Sequence, residues 1–345
     1  MRVDESTPLD IFPSSPNSWR MFTGGVFSKT LYTSMQLWFI RTLAVDTTFM
    51  PEFTTLLSGL SFSESPRWRG GLLYISDFYT HRVLAVSQEG TAETVALVDQ
   101  QPSGLGFLPD GRILIVSMRD RRILRREPDG SLTEHADLSA LAPWHLNDML
   151  VDHDGRAWVG NFGFDLMGGS PSRATVLICV EPNGTAKIVA EMLGFPNGMA
   201  LTPDGRTLIT AETTMNRLSA FDVTSGSLGK RRTWAAFGEP PRSTDVSEIL
   251  EQAEVVPDGI CLDGEGAVWV ADAAHSRLIR VAEGGRILQE LKVEGTGTFA
   301  CMLGADDGRT LFVCAAPSHL ESEASVNHRA SILMTRVAVP HAGLP

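Results

Sequence analysis

Cysteine is scarce in this 345-residue sequence. The four cysteines are Cys179, Cys261, Cys301 and Cys314, and no two of them form a Cys-x-x-Cys pair. A disulfide framework requires a much higher cysteine density, and each of these four lies in or beside an apolar stretch. We therefore expect four buried, reduced thiols.

Basic residues are also in short supply. Against 41 Asp and Glu stand only 29 Lys and Arg, which gives a formal net charge of −12. Nucleic-acid binding depends on basic side chains that neutralise phosphates, and anionic membranes likewise repel an acidic surface. We therefore expect neither nucleic acid nor a membrane as a partner.

The N-terminal region lacks a long apolar run. Its most apolar stretch, residues 37–45, is short and contains Arg41, whereas a membrane-spanning helix needs about 20 apolar residues. The basic, apolar and small-residue order of a signal peptide is also missing. The sequence therefore predicts a cytoplasmic protein.

What the sequence does contain is a repeat. A short β-strand signature recurs six times, and most copies follow an acidic residue and a glycine, as in Asp110-Gly111 and Asp204-Gly205, a pair typical of hairpin turns. The copies are Leu73–Ser76, Leu114–Ser117, Ala157–Gly160, Leu208–Ala211, Val268–Ala271 and Leu311–Cys314. Four-stranded units of about 40–50 residues are typical of propeller blades. The sequence therefore predicts an all-β fold, a six-bladed β-propeller with a central metal site.

The domain organisation follows from the extent of this repeat. We expect residues 51–345 to form the propeller and residues 1–50 to be an N-terminal extension, flexible or loosely packed, because no period runs through them. The stretch Phe53–Leu60 precedes the first unit and is expected to add an outer strand to the last blade, which closes the ring. No helical apolar stripe persists through residues 60–315.

A column of polar residues emerges when the six units are aligned. Counting back ten to twelve residues from the second residue of a signature gives Glu64, Asn147, Asn197 and Asp258, each at the start of a first strand. First strands surround the axis of a propeller, so these side chains are expected to converge at one mouth of the tunnel. Oxygen ligands without His or Cys suit one hard divalent cation. Ca²⁺ is favoured, with Mg²⁺, Mn²⁺ and Zn²⁺ as alternatives.

Two long insertions interrupt the repeat, at residues 160–175 in the third unit and at residues 237–255 between the fourth and fifth. Because a loop that follows the second strand emerges at the ligand mouth, we expect the 160–175 loop to form part of the pocket wall. Phe162, Phe164 and Met167 in this loop offer apolar contacts to a substrate.

The ends of other second strands are expected at the same mouth. Asp77, Glu212 and Asp272 leave their blades at comparable places, and His275 follows the last of them. We therefore expect all four to line the mouth, and His275 to bind substrate.

Four motifs at the column positions resemble those of the family of senescence marker protein, gluconolactonase and luciferin-regenerating enzyme. The motifs are Ser63–Trp68, Leu146–Asp148, Pro196–Gly198 and Pro257–Asp263, and the resemblance covers roughly residues 60–315. It implies a six-bladed propeller with one divalent cation in the tunnel, and it implies lactone hydrolysis.

The resemblance also implies roles for individual residues. Glu64, Asn197 and Asp258 would bind the metal, Asn147 would contact the substrate or the water at the ion, and Asp258 would be the candidate base. The residues alone add His145 as an acid, base or substrate contact, because histidine titrates nearest to neutral pH. Sugar lactonases of the family commonly have Arg at the position of His145, a difference that favours a less polar substrate.

These observations predict a calcium-dependent hydrolase of lactones or small cyclic esters that uses metal-activated water. The absence of a Gly-x-Ser-x-Gly motif argues against a serine nucleophile. A phosphotriesterase-like hydrolase, a metal-dependent cyclase or isomerase of a biosynthetic pathway, and a non-enzymatic binding platform stay open as alternatives. The expected partner is a small-molecule substrate, and the chain is expected to be a monomer or a homodimer.

Overall fold

Six antiparallel sheets surround a central axis. The computed structural model describes residues 52–343. Five of the sheets have four strands, and the sheet of the fourth blade has five. The all-β, six-bladed propeller predicted from the repeat is thereby confirmed, whereas the expectation for residues 1–50 lies outside the described residues.

The strands of the first three blades follow one another along the chain, after β1 (Thr54–Leu60), which belongs to the last blade. They are β2 (Ser63–Arg69), β3 (Leu72–Asp77), β4 (Arg82–Val86) and β5 (Ala92–Leu97), then β6 (Pro102–Phe107), β7 (Ile113–Ser117), β8 (Arg122–Arg126) and β9 (Leu132–Asp137), then β10 (Leu146–Val151), β11 (Ala157–Asn161), β12 (Thr175–Val180) and β13 (Ala186–Leu193).

The last three blades repeat this order, and helices occur only in the connections of the described region. The strands are β14 (Pro196–Leu201), β15 (Thr207–Glu212), β16 (Arg217–Thr224), β17 (Ser227–Leu228) and β18 (Arg232–Ala236), then β19 (Pro257–Leu262), β20 (Val268–Asp272), β21 (Arg277–Val281) and β22 (Ile287–Lys292), then β23 (Gly297–Gly304), β24 (Thr310–Ala316) and β25 (Ala330–Arg336). The α-helices are α1 (Val246–Gln252) and α2 (Glu321–Asn327), and the 3₁₀ turns are Phe78–Thr80 and Thr213–Met215.

The ring closes through the strand that precedes the first blade. β1 pairs antiparallel with β25, and the last sheet has the order β1-β25-β24-β23. The prediction that residues 53–60 supply the outer strand of the last blade is confirmed. The last blade is thus built from both ends of the described chain, and the chain passes from its outer strand β1 directly into the first blade.

The core lies between the blades, on the second strands. These strands are runs of apolar residues because blades pack against both of their faces. Trp158 in β11 and Trp269 in β20 are both buried, and each such side chain contributes about 1.5–3 kcal/mol on burial. No helix in residues 52–343 is long and apolar enough to cross a membrane.

All four cysteines are buried and free, as the sequence predicts. The Cys261 and Cys301 sulfur atoms, from the first strands of neighbouring blades, are 3.9 Å apart. Burial raises the pKa of the Cys179 thiol to about 12, so this thiol stays protonated at neutral pH.

Candidate metal and substrate site

A β-bulge occurs in the innermost strand of every blade. The register with the second strand shifts between Glu64 and Arg67, Pro102 and Leu105, Leu146 and Met149, Pro196 and Met199, Pro257 and Ile260, and Thr298 and Ala300. A bulge bends the strand and turns a side chain away from the regular alternation. The polar column lies at these bulges, with Glu64 at the edge of its own and Asn147, Asn197 and Asp258 inside theirs.

Glycine follows the column residue where neighbouring inner strands come closest. A Cβ atom on Gly198 would lie 2.5 Å from both the Asp258 carbonyl oxygen and the Ile260 nitrogen. A Cβ atom on Gly259 would lie 2.5 Å from the Ala300 Cα and Cβ atoms. The Asn-Gly and Asp-Gly pairs therefore allow the inner strands of the fourth, fifth and sixth blades to converge at the axis.

The four predicted metal ligands line one cavity of about 130 Å³. Asn147 Nδ2 donates to Asn197 Oδ1 at 2.8 Å, and Asn197 Nδ2 donates to Thr213 Oγ1 at 3.2 Å. Thr213 in turn donates to the Pro257 carbonyl oxygen at 2.8 Å. This chain of hydrogen bonds fixes both amides beside Glu64 and Asp258, so the structure brings together all four residues that the sequence aligned.

The two carboxylates of the set have no cationic partner. Neither Glu64 nor Asp258 forms an ion pair with another of the described residues. Burial raises the pKa of Glu64 well above its ordinary value, and the charges of Asp258 and Asp148 raise it further. Burial and the charge of Asp148 raise the pKa of Asp258 in the same way, against a lowering by Asn197.

This donor set fits a hard cation. Two neighbouring carboxylates, one partly buried and one buried, are unfavourable in their ionised forms without a direct counter-ion, and binding by a common cation would remove that cost. Within residues 52–343 no three His, Cys, Asp or Glu side chains form a metal cluster, so such an ion would also need amide oxygens. Asn147 and Asn197 supply them. The absence of His and Cys in the set disfavours zinc.

A buried ion pair divides the tunnel below these residues. Arg67 donates to Asp148 Oδ1 at 2.9 Å and to the Met149 carbonyl oxygen at 2.6 Å. Arg67 also lines a second cavity of about 220 Å³, together with residues from the far ends of the inner strands and the C-terminal His341. Because Arg67 pairs with Asp148, it is not a direct counter-ion for Glu64 or Asp258.

The walls above the polar residues are apolar. Phe62 packs against Phe78 and Phe299 with ring centroids 5.3 and 4.8 Å apart, and Phe162 packs against Phe195 at 4.6 Å. Further apolar lining comes from the insertions, with Leu166, Met167, Val246, Ile249 and Leu250. The cavity thus has a polar floor and aromatic and aliphatic walls.

Three of the predicted substrate contacts do not line this cavity. His145 lies in an adjoining pocket beside Arg119, where its ring stacks on Trp144 at 5.0 Å. Burial and then the charge of Arg119 lower the pKa of His145, so His145 is neutral at pH 7. Phe164 is buried inside its own loop, and His275 Nδ1 hydrogen-bonds to Asp272 at 2.9 Å.

Contrary to expectation, the acidic ends of the second strands also point away from the mouth. Asp77, Glu212 and Asp272 are fully buried, and the next residues along the chain, Phe78, Thr213 and Ala273, line the cavity instead. The strands end at the three acids, and Phe78 and Thr213 begin 3₁₀ turns, so the backbone changes conformation at this point and the next side chain takes a different direction.

The three buried acids instead anchor the inner strands. Asp77 accepts from the Phe62 nitrogen at 3.1 Å, Glu212 from the Gly194 nitrogen at 2.9 Å and Asp272 from the Val256 nitrogen at 3.0 Å. Each also pairs with an arginine five residues later, Arg82, Arg217 and Arg277. Burial raises the pKa of Glu212, but hydrogen bonds from Arg217, Ser219 and Gly194 outweigh it and give a lowered value.

Two features of the cavity wall were not predicted from the sequence. Phe299 occupies the column position of the sixth blade, where an apolar residue gives no sign of a site, and α1 lies within an insertion rich in Glu, Pro and Ser. Asp245 caps α1 by accepting from the Ser247 and Glu248 nitrogens. An Asp before Val-Ser-Glu is a helix-start signal that could have identified it.

Comparison with known proteins decides the family. Residues 62–317 match the model of the SMP-30/gluconolactonase/LRE-like region. The chain belongs to this family. Family members with similar sequences include the regucalcin of Xenopus laevis, 26% identical over 75% of this chain and 85% of its own length. The pentonolactonase of Haloferax volcanii is 25% identical over 73% of this chain and 81% of its own length.

A solved structure of the family has the same fold. The calcium-binding protein regucalcin of Agrobacterium tumefaciens superposes with a TM-score of 0.68 at 21% identity, over 83% of this chain and 93% of that protein. The chain is therefore a gluconolactonase-like propeller in sequence and in architecture.

Proposed function

We propose that this protein is a calcium-dependent lactonase. The observation that carries the proposal is the pair of carboxylates, the partly buried Glu64 and the buried Asp258, that converge with the amides of Asn147 and Asn197 on the axis without any ion pair among the described residues. Membership of a gluconolactonase-like family supports the reaction class, and the calcium binding stated for the Agrobacterium relative supports the metal.

The residues of the cavity floor have two roles, metal binding and substrate positioning. Glu64, Asn197 and Asp258 hold the cation, which when bound supplies Lewis-acid activation of an ester carbonyl or of water. Asn147 is held by its hydrogen bonds to Asn197 and to Ser103 Oγ, the latter at 3.4 Å, so its amide is oriented before a substrate enters. A fixed polar group of this kind can position a lactone carbonyl over the floor.

Asp258 is the candidate acceptor for the proton that water loses on attack. A carboxylate next to a cation is a weak base, whereas burial and the charge of Asp148 act in the opposite direction and raise its pKa. His145 takes no part in this proposal, because it lies in the adjoining pocket.

Two measurements test the proposal. Calorimetric titration of chelator-treated protein should give one Ca²⁺ site per chain, with weaker binding of Mg²⁺. A pH-stat screen over lactones, aryl esters and organophosphates should show lactone hydrolysis that disappears with chelator and returns with Ca²⁺. Lactone hydrolysis that is indifferent to chelator would refute the metal dependence, and turnover of organophosphates alone would favour a phosphotriesterase-like hydrolase.

A further inference from the structure

The distribution of polar groups in the cavity is one-sided. Glu64, Asn147, Asn197 and Asp258 belong to the inner strands, and Thr213 accepts a hydrogen bond from Asn197 and donates one to the carbonyl oxygen of Pro257, next to Asp258. No Lys or Arg is among the cavity-lining residues of the described region. Apart from the floor and Thr213, only Thr214 and His319 offer polar side chains in the described lining. A substrate with many hydroxyl groups would therefore lose more hydrogen bonds to water than it could replace.

One sector of the wall is aromatic because the sixth blade departs from the polar column. Phe299 stands at its bulge and packs edge-to-face on Phe62, which in turn packs on Phe78. These rings belong to the sixth and first blades and adjoin Glu64. An aromatic, apolar surface thus begins directly beside one of the proposed metal ligands.

The opposite sector is a cap made of the two insertions. Leu166 and Met167 from the third blade face Val246, Ile249 and Leu250 from α1 across the cavity. The backbone joins the two insertions, since the Ser172 nitrogen donates to the Thr244 carbonyl oxygen at 2.7 Å. Met167 remains 49% exposed although it is a large apolar side chain, and contact with a ligand would cover it.

From these observations, and resting on the proposed lactonase activity, we infer that the substrate is a lactone or ester that carries an apolar chain or ring. The carbonyl lies over the polar floor, and the apolar group extends between the Phe62–Phe299 wall and the cap. A sugar lactone is disfavoured because each unpaired hydroxyl above the floor is costly to bury.

Three six-membered lactones test this inference on the calcium-loaded full-length chain: δ-valerolactone, δ-nonalactone and D-glucono-1,5-lactone. The first two share a ring and differ by a four-carbon tail. With each rate divided by that of hydroxide hydrolysis, kcat/KM should be at least about tenfold higher for δ-nonalactone than for δ-valerolactone, and lowest for the sugar lactone.

A matched pair of leucine variants localises the effect. Leu250→Ser in the cap should reduce the preference for δ-nonalactone severalfold, whereas Leu288→Ser, on the outer strand β22 and 37% exposed, should leave both rates unchanged. If Leu250→Ser is unstable, Met167→Ser should reduce the preference for δ-nonalactone in the same way, at a side chain that is already half exposed.

The outcomes separate the two proposals. Hydrolysis of all three lactones with equal or better use of the sugar lactone would overturn the apolar substrate class and leave the lactonase intact. The same holds if the two leucine variants behave alike. No turnover of any of the three would overturn both.

Discussion

The pair Asp258→Asn and Asp204→Asn tests the axial site most directly, because both residues stand in Pro-Asp-Gly triplets. Asp258 is buried at the axis and lacks an ion pair within the described part of the chain. Asp204 is exposed in a rim turn, where it accepts from Thr202 Oγ1 at 2.6 Å and the Arg206 nitrogen at 3.1 Å. Asp258→Asn should therefore change both the melting temperature and the response to calcium, whereas Asp204→Asn should change neither.

In metal-free protein Asp258→Asn should raise the melting temperature. An unsatisfied buried polar or charged group costs about 1–3 kcal/mol, and asparagine removes the charge at constant shape. One kcal/mol corresponds to roughly 2 °C in a domain of this size, so the expected gain is about 2–6 °C. Asp204→Asn should change the melting temperature little.

Calcium should remove most or all of this advantage. At a Ca²⁺ concentration of about 100 Kd, the wild type gains about 2.7 kcal/mol, or roughly 5 °C. Loss of a charged ligand should weaken Ca²⁺ binding by at least about 100-fold. This effect is larger than that of losing a residue that only hydrogen-bonds to a ligand. Asp258→Asn then gains only about 0.4 kcal/mol at the same concentration.

Thermal melts of chelator-dialysed protein, with and without added Ca²⁺, measure both effects. Asp204→Asn serves as the control and should show the full wild-type gain. Equal calcium responses in the two variants, or a wild-type response in Asp258→Asn, would refute the assignment of the axial carboxylates as ligands.

Three further predictions concern pH, packing and the N-terminus. The advantage of metal-free Asp258→Asn over wild type should shrink as the pH falls from 8 to about 5. Because the pKa of Asp258 is raised, its ionised carboxyl is costly at pH values above that pKa, and the cost disappears as the pH drops towards the ordinary pKa; an advantage that grows would contradict this. Gly198→Ala should destabilise more than Gly205→Ala in urea melts, since only the Gly198 site has backbone 2.5 Å from the new Cβ. Deletion of residues 1–45 should preserve the cooperative melt and the calcium response, because ring closure uses Thr54–Leu60; a lost transition would show that the segment is needed.

The repeat accounts for what the sequence predicted correctly. Six copies, most of them after an acidic-Gly turn, specify the blades and the ring closure by residues 53–60, and alignment of the copies places Glu64, Asn147, Asn197 and Asp258 on one axis. These results need only the order of strands along the chain, and errors of a residue at a strand end do not disturb them.

Side-chain direction was less predictable, because it depends on single residues. Asp77 ends a strand and Phe78 begins a 3₁₀ turn, so one is buried behind the wall and the other lines the cavity although they are adjacent. The bulges shift the inner strands by a residue, and no turn signal marks them in the sequence. Phe299 could not be identified for a different reason. The column is recognised by polar residues at equivalent positions, and Phe299 is apolar.

The buried acids connect the fold to the site. Asp77, Glu212 and Asp272 stand in the first, fourth and fifth blades, the blades that supply the proposed ligands Glu64, Asn197 and Asp258. The other blades have neutral residues at the end of the second strand, namely Ser117, Asn161 and Ala316.

Each acid binds a backbone nitrogen two or three residues before the ligand, through a charge-assisted hydrogen bond, and is itself paired with an arginine. Rigid supports of this kind hold a set of binding residues in place before any ligand is bound. The inner strands of these three blades therefore hold Glu64, Asn197 and Asp258 together even though two of the three are carboxylates that repel each other. The anchoring of the strands offsets that repulsion, and binding of the proposed cation would relieve it.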